Sequence, residues 1–433
     1  MNSNKSIMRR VPRGTEDQLP EETAKWQLVK ETIKKTFEMW GYREVRTPTF
    51  EFLDVLSTGV GRELEDSMFK FKDKKGRWLA LRAEMTTPIA RVVGTKLLSS
   101  PKPLRLYYIA NMFRYDEPQA GRKREFWHAG VELIGSSSPG ADAEVMALMA
   151  QSLKNIGLKN IRIRVGNVGI FKEIVKQAGL SQELTNRVRI CIDKGDRKGL
   201  SEALNDPSVD DKTREALLLL PELKGDLSVT DELTELISNA EIDRCVKNLN
   251  EVMKRLGYYG IPQREFTVDL GIIRGLEYYT GTVFEGYVPE LKVAIGAGGR
   301  YDELVQRFGG SAVSATGFAI GVDRCMESLK RQGYIFPFKP PSEVIVLAIT
   351  DELKRDEIRI ANLLRGSGIS AETNVSDWGL SRGLSYANRV RIPYAIILGE
   401  RELKRSLVIL RDMKSGEQRE VKISELISFF KKK

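Results

Sequence analysis

Two strand-like runs, LRLYYIANMFRYDEP (residues 104–118) and KREFWHAGVELIG (123–135), are separated only by the short, turn-rich, basic loop EPQAGRK. Their aromatic and aliphatic content favours extended backbone, which commits this part of the chain to a sheet. No alternation of strand and helix with a GxGxxG turn accompanies them, so a doubly wound nucleotide fold is disfavoured. Positions 124, 126, 128, 130 and 132 share one face of the second run.

Further elements follow along the chain. Trp26, Val29, Ile33, Phe37 and Trp40 recur at helical spacing before Gly41, giving an amphipathic helix over 21–40. YREVRTPTFEFL then reads as a strand whose pairing Pro48 ends, and MFKFKDKKGRWLALR as a hairpin around KDKKG. ADAEVMALMAQSLKNIGL is a helix closing at Gly157. Residues 170–258 are polar and mostly helical in pattern, broken at NDPS and KGD, which marks an inserted helical module. Beyond it, KVAIGAGGRYDEL has neither dinucleotide nor Walker spacing, so its glycines are read as a tight turn. ATGFAIGVDRCMESLKRQG leads from strand or turn into a helix. The prolines of FPFKPPS (336–342) make an extended linker. After it, strand-like EVIVLAI and YAIILG flank a helix over 351–366 and precede the hairpin RSLVILRDMKSGEQREVKI, a small α/β domain.

A chain of 433 residues exceeds one ordinary core, and 41% hydrophobic with 30% charged residues suits a fold without disulfide or metal staples. Cys191, Cys245 and Cys325 form no CxxC pair, so neither zinc nor a disulfide framework is expected, and a reducing cytoplasm fits. Nothing approaches an apolar membrane span. The surplus of 10 positive charges fits a polyanionic partner without requiring one. His128 is the only histidine, so a Ser-His-Asp or Cys-His nucleophilic arrangement would need its nucleophile beside that one residue, and helical HExxH metal sites, which need two, are removed. Catalysis by this chain must rest mainly on Arg, Lys, Glu, Asp and Tyr, a set suited to holding and orienting phosphate.

GIIRGLEYYTGTVFEGY (271–287) poses the sharpest puzzle. Its backbone reads as a hairpin turning at Gly275 and Gly281, yet Arg274 sits in a run that should be mostly buried, where an unpaired guanidinium is costly. It needs an anion.

In order, these pieces resemble histidyl-tRNA synthetase, a family of class II aminoacyl-tRNA synthetases, over nearly the whole chain. RGTEDQLPEE is similar to the family's N-terminal stretch, VRTPTFEFLDVL to motif 1, FRYDEPQAGRKREF to motif 2 and ATGFAIGVDR to motif 3. RGLEYYTGTVFE is similar to the histidine-specific stretch. The resemblance implies an α+β fold. Its class II catalytic core, built on an antiparallel sheet, would span 1–169 and 259–330, with a helical insertion at 170–258, a linker at 331–342 and an α/β anticodon-binding domain at 343–433.

It also implies an activity: histidine and ATP, with Mg2+, give histidyl-adenylate and pyrophosphate, and the histidyl group then passes to the 3′ end of tRNA(His). By resemblance Arg114 would hold the α-phosphate, Arg324 the γ-phosphate, and Arg274 both histidine carboxylate and α-phosphate, with Glu117 and Arg122 also binding ATP. Glu84, Thr86 and His128 would receive histidine's amino group, and Glu132, Tyr279 and Tyr301 its ring; Tyr278 belongs to the same set or to plain packing. His128 stands where bacterial relatives commonly have glutamine, Glu117 where they have arginine, Ala83 where many have proline, and Glu277 where aspartate is usual.

On this reading His128 and Glu132, about 13 Å apart along their strand, mark opposite ends of one bound amino acid. A neutral His128 that protonates near pH 6.5 would then limit activity in acid. A homodimer is expected through the 21–40 helix and the Pro48 strand, which would otherwise leave an edge exposed. The rival is a histidine-binding regulatory paralogue of ATP phosphoribosyltransferase. Such paralogues generally lack the C-terminal domain and degrade the RGLEYYTGTVFE stretch.

Overall fold

The computed structural model describes residues 9–116, 123–273 and 277–432. Contacts divide the chain into two compact units between Ile335 and Phe336. In the first unit the strands are β1 (Arg43–Glu44), β2 (Phe50–Phe52), β3 (Lys70–Lys72), β4 (Trp78–Leu81), β5 (Leu104–Phe113) and β6 (Glu125–Ile134). They continue with β7 (Arg162–Asn167), β8 (Lys224–Gly225), β9 (Phe266–Asp269), β10 (Thr282–Tyr287), β11 (Gly296–Arg300) and β12 (Ala315–Gly321). Nine of these make one sheet in the order β1-β5-β6-β12-β11-β10-β7-β9-β8, while β2, β4 and β3 make a separate small one. Only β1 with β5 and β7 with β9 run parallel in the large sheet.

Long alternating sequences build the middle of this sheet. β5 and β6 pair along their full length, Tyr108 opposite Gly130 and Ala110 opposite His128. One face is covered by the Pro20–Met39 helix, which starts on Pro20 with Glu21 and Glu22 in its first turn, where a fixed φ and negative charge both suit a helix N-terminus. Its stripe of Trp26, Val29, Ile33 and Phe37 is buried, with Phe37 against Tyr107 and Phe318 of the sheet. Pro48 lies between β1 and β2, outside both ladders.

Two readings of the sequence change here. GAGGR is not a turn but β11, paired on both sides in the interior of the sheet. With no side chain beyond a methyl before Arg300, it carried no propensity signal, and its neighbours decide its state. The 271–287 run is not a hairpin among the described residues, since only Thr282–Tyr287 is extended. Arg274 and Gly275 fall outside them.

Between β7 and β9 the chain forms six α-helices, from Val168–Gln177 to Ala240–Tyr258. Ser181, Asp196, Asp210 and Asn239 each accept a backbone N–H at a helix start, the capping that defines these boundaries. The second unit holds β13 (Val344–Ala348), β14 (Ala371–Thr373), β15 (Tyr394–Leu398), β16 (Leu407–Asp412) and β17 (Gln418–Lys422), ordered β14-β13-β15-β16-β17. β13 is parallel to β14 and β15. Its residues face both ways: Val344 and Val346 join Ile360 and Leu364, while Ile345 and Leu347 join Ala387, so helices cover both faces.

Candidate active site

Glu84 opens the site. It precedes the Thr86–Val92 helix, and its buried carboxylate accepts the backbone N–H of Thr86 at 2.6 Å and of Thr87 at 3.0 Å. Burial pushes its pKa up, against those hydrogen bonds and the nearby Arg114 charge. Thr86 in turn donates its hydroxyl to Glu132 Oε1 at 2.8 Å, and the Tyr301 hydroxyl makes a short hydrogen bond to Glu132 Oε2. Glu132 is 1% exposed. Burial lifts its pKa to about 8 although Tyr301 and Thr86 oppose the rise, and the Glu84 charge adds to it.

Tyrosines close this end. The buried ring of Tyr278 lies 5.6 Å from that of Tyr301 and 5.2 Å from that of Tyr279. Close packing requires glycine at Gly317 on β12, directly opposite Glu132, because a Cβ there would meet the Val131 carbonyl oxygen at 2.4 Å as well as Glu132 Oε2 at 2.0 Å. Tyr108, absent from the sequence reading, completes the wall. It is buried, with its hydroxyl where a Cβ on Gly130 would lie, and burial followed by the charges of Glu132 and Glu84 pushes its pKa far up. The available signal was register: only a glycine opposite position 108 leaves room for that phenol.

Positive charge gathers at the other end. Arg114, just past β5, donates Nε to the Ala83 carbonyl at 3.0 Å and lies 5.4 Å from the Phe126 ring centroid. Arg324, in the Val322–Arg331 helix, donates Nη1 to the Ala294 carbonyl at 2.5 Å. Burial lowers the pKa of Arg114, and the charge of Arg324 lowers it further. His128 lies among these groups, its ring 5.0 Å from Phe126. Burial, then Arg114, then Arg324 bring its pKa down to about 3.

Two expectations are corrected by this geometry. Thr86 is hydrogen-bonded to Glu132, so Thr86 and Glu132 are not at opposite ends of the site. His128 sits instead on the arginine side, because two steps along the pleat carry it past Gly130 and away from the Thr86 helix. Nor does the site favour a His128 that protonates near pH 6.5, since burial first, and then Arg114 and Arg324, lower its pKa. Glu84, Thr86, Glu132, Tyr278, Tyr279 and Tyr301 are brought together, as are Arg114, His128 and Arg324. Arg274, Glu117 and Arg122 lie outside the described residues. Among those described, no group of three or more His, Cys, Asp or Glu side chains could hold a metal.

Known proteins share this arrangement of chain. The family model described as histidyl-tRNA synthetase matches residues 14–325, and that described as anticodon binding domain matches 343–433. The histidine–tRNA ligase of Pyrococcus furiosus is 40% identical over 425 residues, 97% of this chain and 98% of the relative. A solved structure from Bacillus halodurans, titled an ATP phosphoribosyltransferase regulatory subunit/histidyl-tRNA synthetase, is 28% identical with a TM-score of 0.76, covering 88% of this chain and 96% of that one. Histidyl-tRNA synthetase from Nostoc sp. PCC 7120 shares the fold at 24% identity, with a TM-score of 0.80 and coverage of 98% and 99%. The chain belongs to the histidyl-tRNA synthetase family.

Proposed function

We propose that this protein is a histidine–tRNA ligase whose site binds histidine at the Glu132 end and ATP at the Arg114–Arg324 end. The supporting observation is the contrast inside one site: a buried carboxyl–tyrosine cluster beside the half-buried Arg114 and Arg324. An imidazole N–H and an ammonium need acceptors, which Glu132, Glu84 and Tyr279 supply. A carboxylate and phosphates need cations, which Arg114, Arg324 and, by resemblance, Arg274 supply, with Arg122 and Glu117 completing the ATP contacts. Histidine's carboxylate oxygen attacks the α-phosphorus, the bond to the bridging oxygen breaks, and pyrophosphate leaves. The 3′-terminal ribose hydroxyl of tRNA(His) then attacks the carbonyl carbon and AMP leaves. Guanidinium donors stabilise the charge that develops on the phosphate oxygens, and Mg2+ enters with ATP to offset its β- and γ-phosphates.

Residues 1–169 and 259–330 serve as the catalytic core, 170–258 as an insertion, 331–342 as a linker and 343–433 as the anticodon reader. A match of the last segment to an anticodon-binding family, and of the whole chain to full-length ligases, favours the ligase over a regulatory paralogue. Pairing into a homodimer is supported by the small sheet, where Phe50, Phe52 and Phe71 are exposed. No helix among the described residues is long and apolar enough to cross a membrane. ATP–pyrophosphate exchange with each of the twenty amino acids tests the reading. Histidine alone should support exchange; leucine or proline doing so equally well, or histidine binding without any exchange, would overturn it.

A further inference from the structure

Asp323 immediately precedes Arg324 in the first turn of the Val322–Arg331 helix, and its carboxylate does not cap that helix. It turns to the sheet instead. Oδ2 accepts the backbone N–H of Trp127 on β6 at 2.8 Å, and Oδ1 pairs with Lys123 Nζ at 2.9 Å. Lys123 also makes a short ion pair with Glu16, and its ammonium lies 5.5 Å from the Trp26 ring centroid. Lys30 lies 4.0 Å over Trp127, and the Gly14 carbonyl accepts the N–H of Arg124 at 2.7 Å. Four segments thus meet at one point: the N-terminal stretch, the Pro20–Met39 helix, the start of β6 and the helix that carries Arg324.

We infer that the Lys123–Asp323 pair is a positioning device for Arg324, fixing its spacing from Arg114 and hence the grip of the site on the nucleotide's phosphates. The inference rests on the ATP reading of the arginine end. One carboxylate bonded to both the β6 backbone and a β6-side ammonium ties the helix that carries Arg324 to β6, whose partner β5 ends just before Arg114, and its side chain is only 14% exposed, so water screens the contact little. Lys123 reinforces it. Burial alone would lower its pKa, yet its hydrogen bonds to Glu16 and Asp323 outweigh burial and raise it, so the ammonium stays charged.

Exchange kinetics of Lys123→Met, Lys123→Arg and Asp323→Asn test the assignment, with thermal midpoints to confirm folding. Loss of a charge-assisted contact of this kind should raise the ATP KM of Lys123→Met about five- to tenfold and leave the histidine KM within about twofold. Lys123→Arg should restore most of it, and Asp323→Asn, which keeps an acceptor for Trp127, should fall between. Equal rises in both KM values, no rise at all, or failure of arginine to rescue would overturn the inference. A wild type without histidine-dependent exchange would sink the ligase reading instead. Equilibrium ATP binding would still judge Lys123, which must weaken about as much in the methionine variant.

Discussion

The two ends of the candidate site are built differently. At the acidic end, Glu84 is met by backbone N–H groups, and Glu132 by Thr86 and Tyr301, before any ligand arrives. At the arginine end, Arg114 and Arg324 each donate to a backbone carbonyl, a contact that orients a guanidinium without cancelling its charge. The first end is therefore shaped, and the second is charged. A rigid cluster suits recognition of one small side chain, whereas guanidinium groups anchored on backbone carbonyls suit phosphates whose charge shifts during reaction.

Breaking the charged end should give the largest effect. Arg114→Ala should slow adenylate formation in a single turnover by about two to three orders of magnitude, the usual loss for one transition-state donor. A rate near wild type would reduce Arg114 to a structural role and erase the contrast.

The shaped end should respond next, through both affinity and pH. Glu132→Gln should raise the histidine KM by about tenfold, since a carboxyl that can give up its proton and accept from the substrate's N–H is replaced by an amide that cannot ionise. Stability carries a second signature. Glu132 has its pKa raised from 4.5 to about 8, so between those values the folded chain keeps a proton that the unfolded chain has released. The stabilisation is complete below pH 4.5 and is lost as pH rises toward 8. Ligand-free wild type should thus lose thermal stability across that window relative to Glu132→Gln. Parallel melting curves at all pH values would show that Glu132 is already ionised and that the cluster is not strained by its burial.

Sequence showed the two ends unequally. The alternation of 104–113 and 125–134 located β5 and β6, and the face shared by 126, 128, 130 and 132 followed from a period of two. What alternation cannot report is which neighbour meets each position across the sheet. Thr86 and Glu132 are 46 residues apart, and their hydrogen bond depends on where a short helix begins over β6. Glycines hid the rest: β11 looked like a turn, and Gly130 and Gly317 matter through what stands across from them, Tyr108 and the Phe318 carbonyl for the first, Glu132 and the Val131 carbonyl for the second. The ion pair of Arg300 with Asp142, fully buried at 3.0 Å, was equally silent, because each partner alone reads as a surface charge.

His128 gives the smallest effect and the finest test, because it lies on the charged side while carrying no charge of its own. Its pKa falls from 6.5 to about 3, first by burial and then by Arg114 and Arg324, so the unfolded chain takes up a proton between those values that the folded chain refuses. The sign is opposite to that of Glu132: stability is fully present above pH 6.5 and is lost as pH falls toward 3. His128→Gln removes this loss, so the variant should withstand acid better than wild type while matching it at pH 7.5. Activity should behave otherwise. With His128 neutral throughout the working range, the kcat/KM profiles of wild type and the glutamine variant should coincide above about pH 5, any common fall near pH 6 belonging to the substrate imidazole. A fall seen in wild type alone would mean that His128 protonates beside two arginines, and that burial does not hold it neutral.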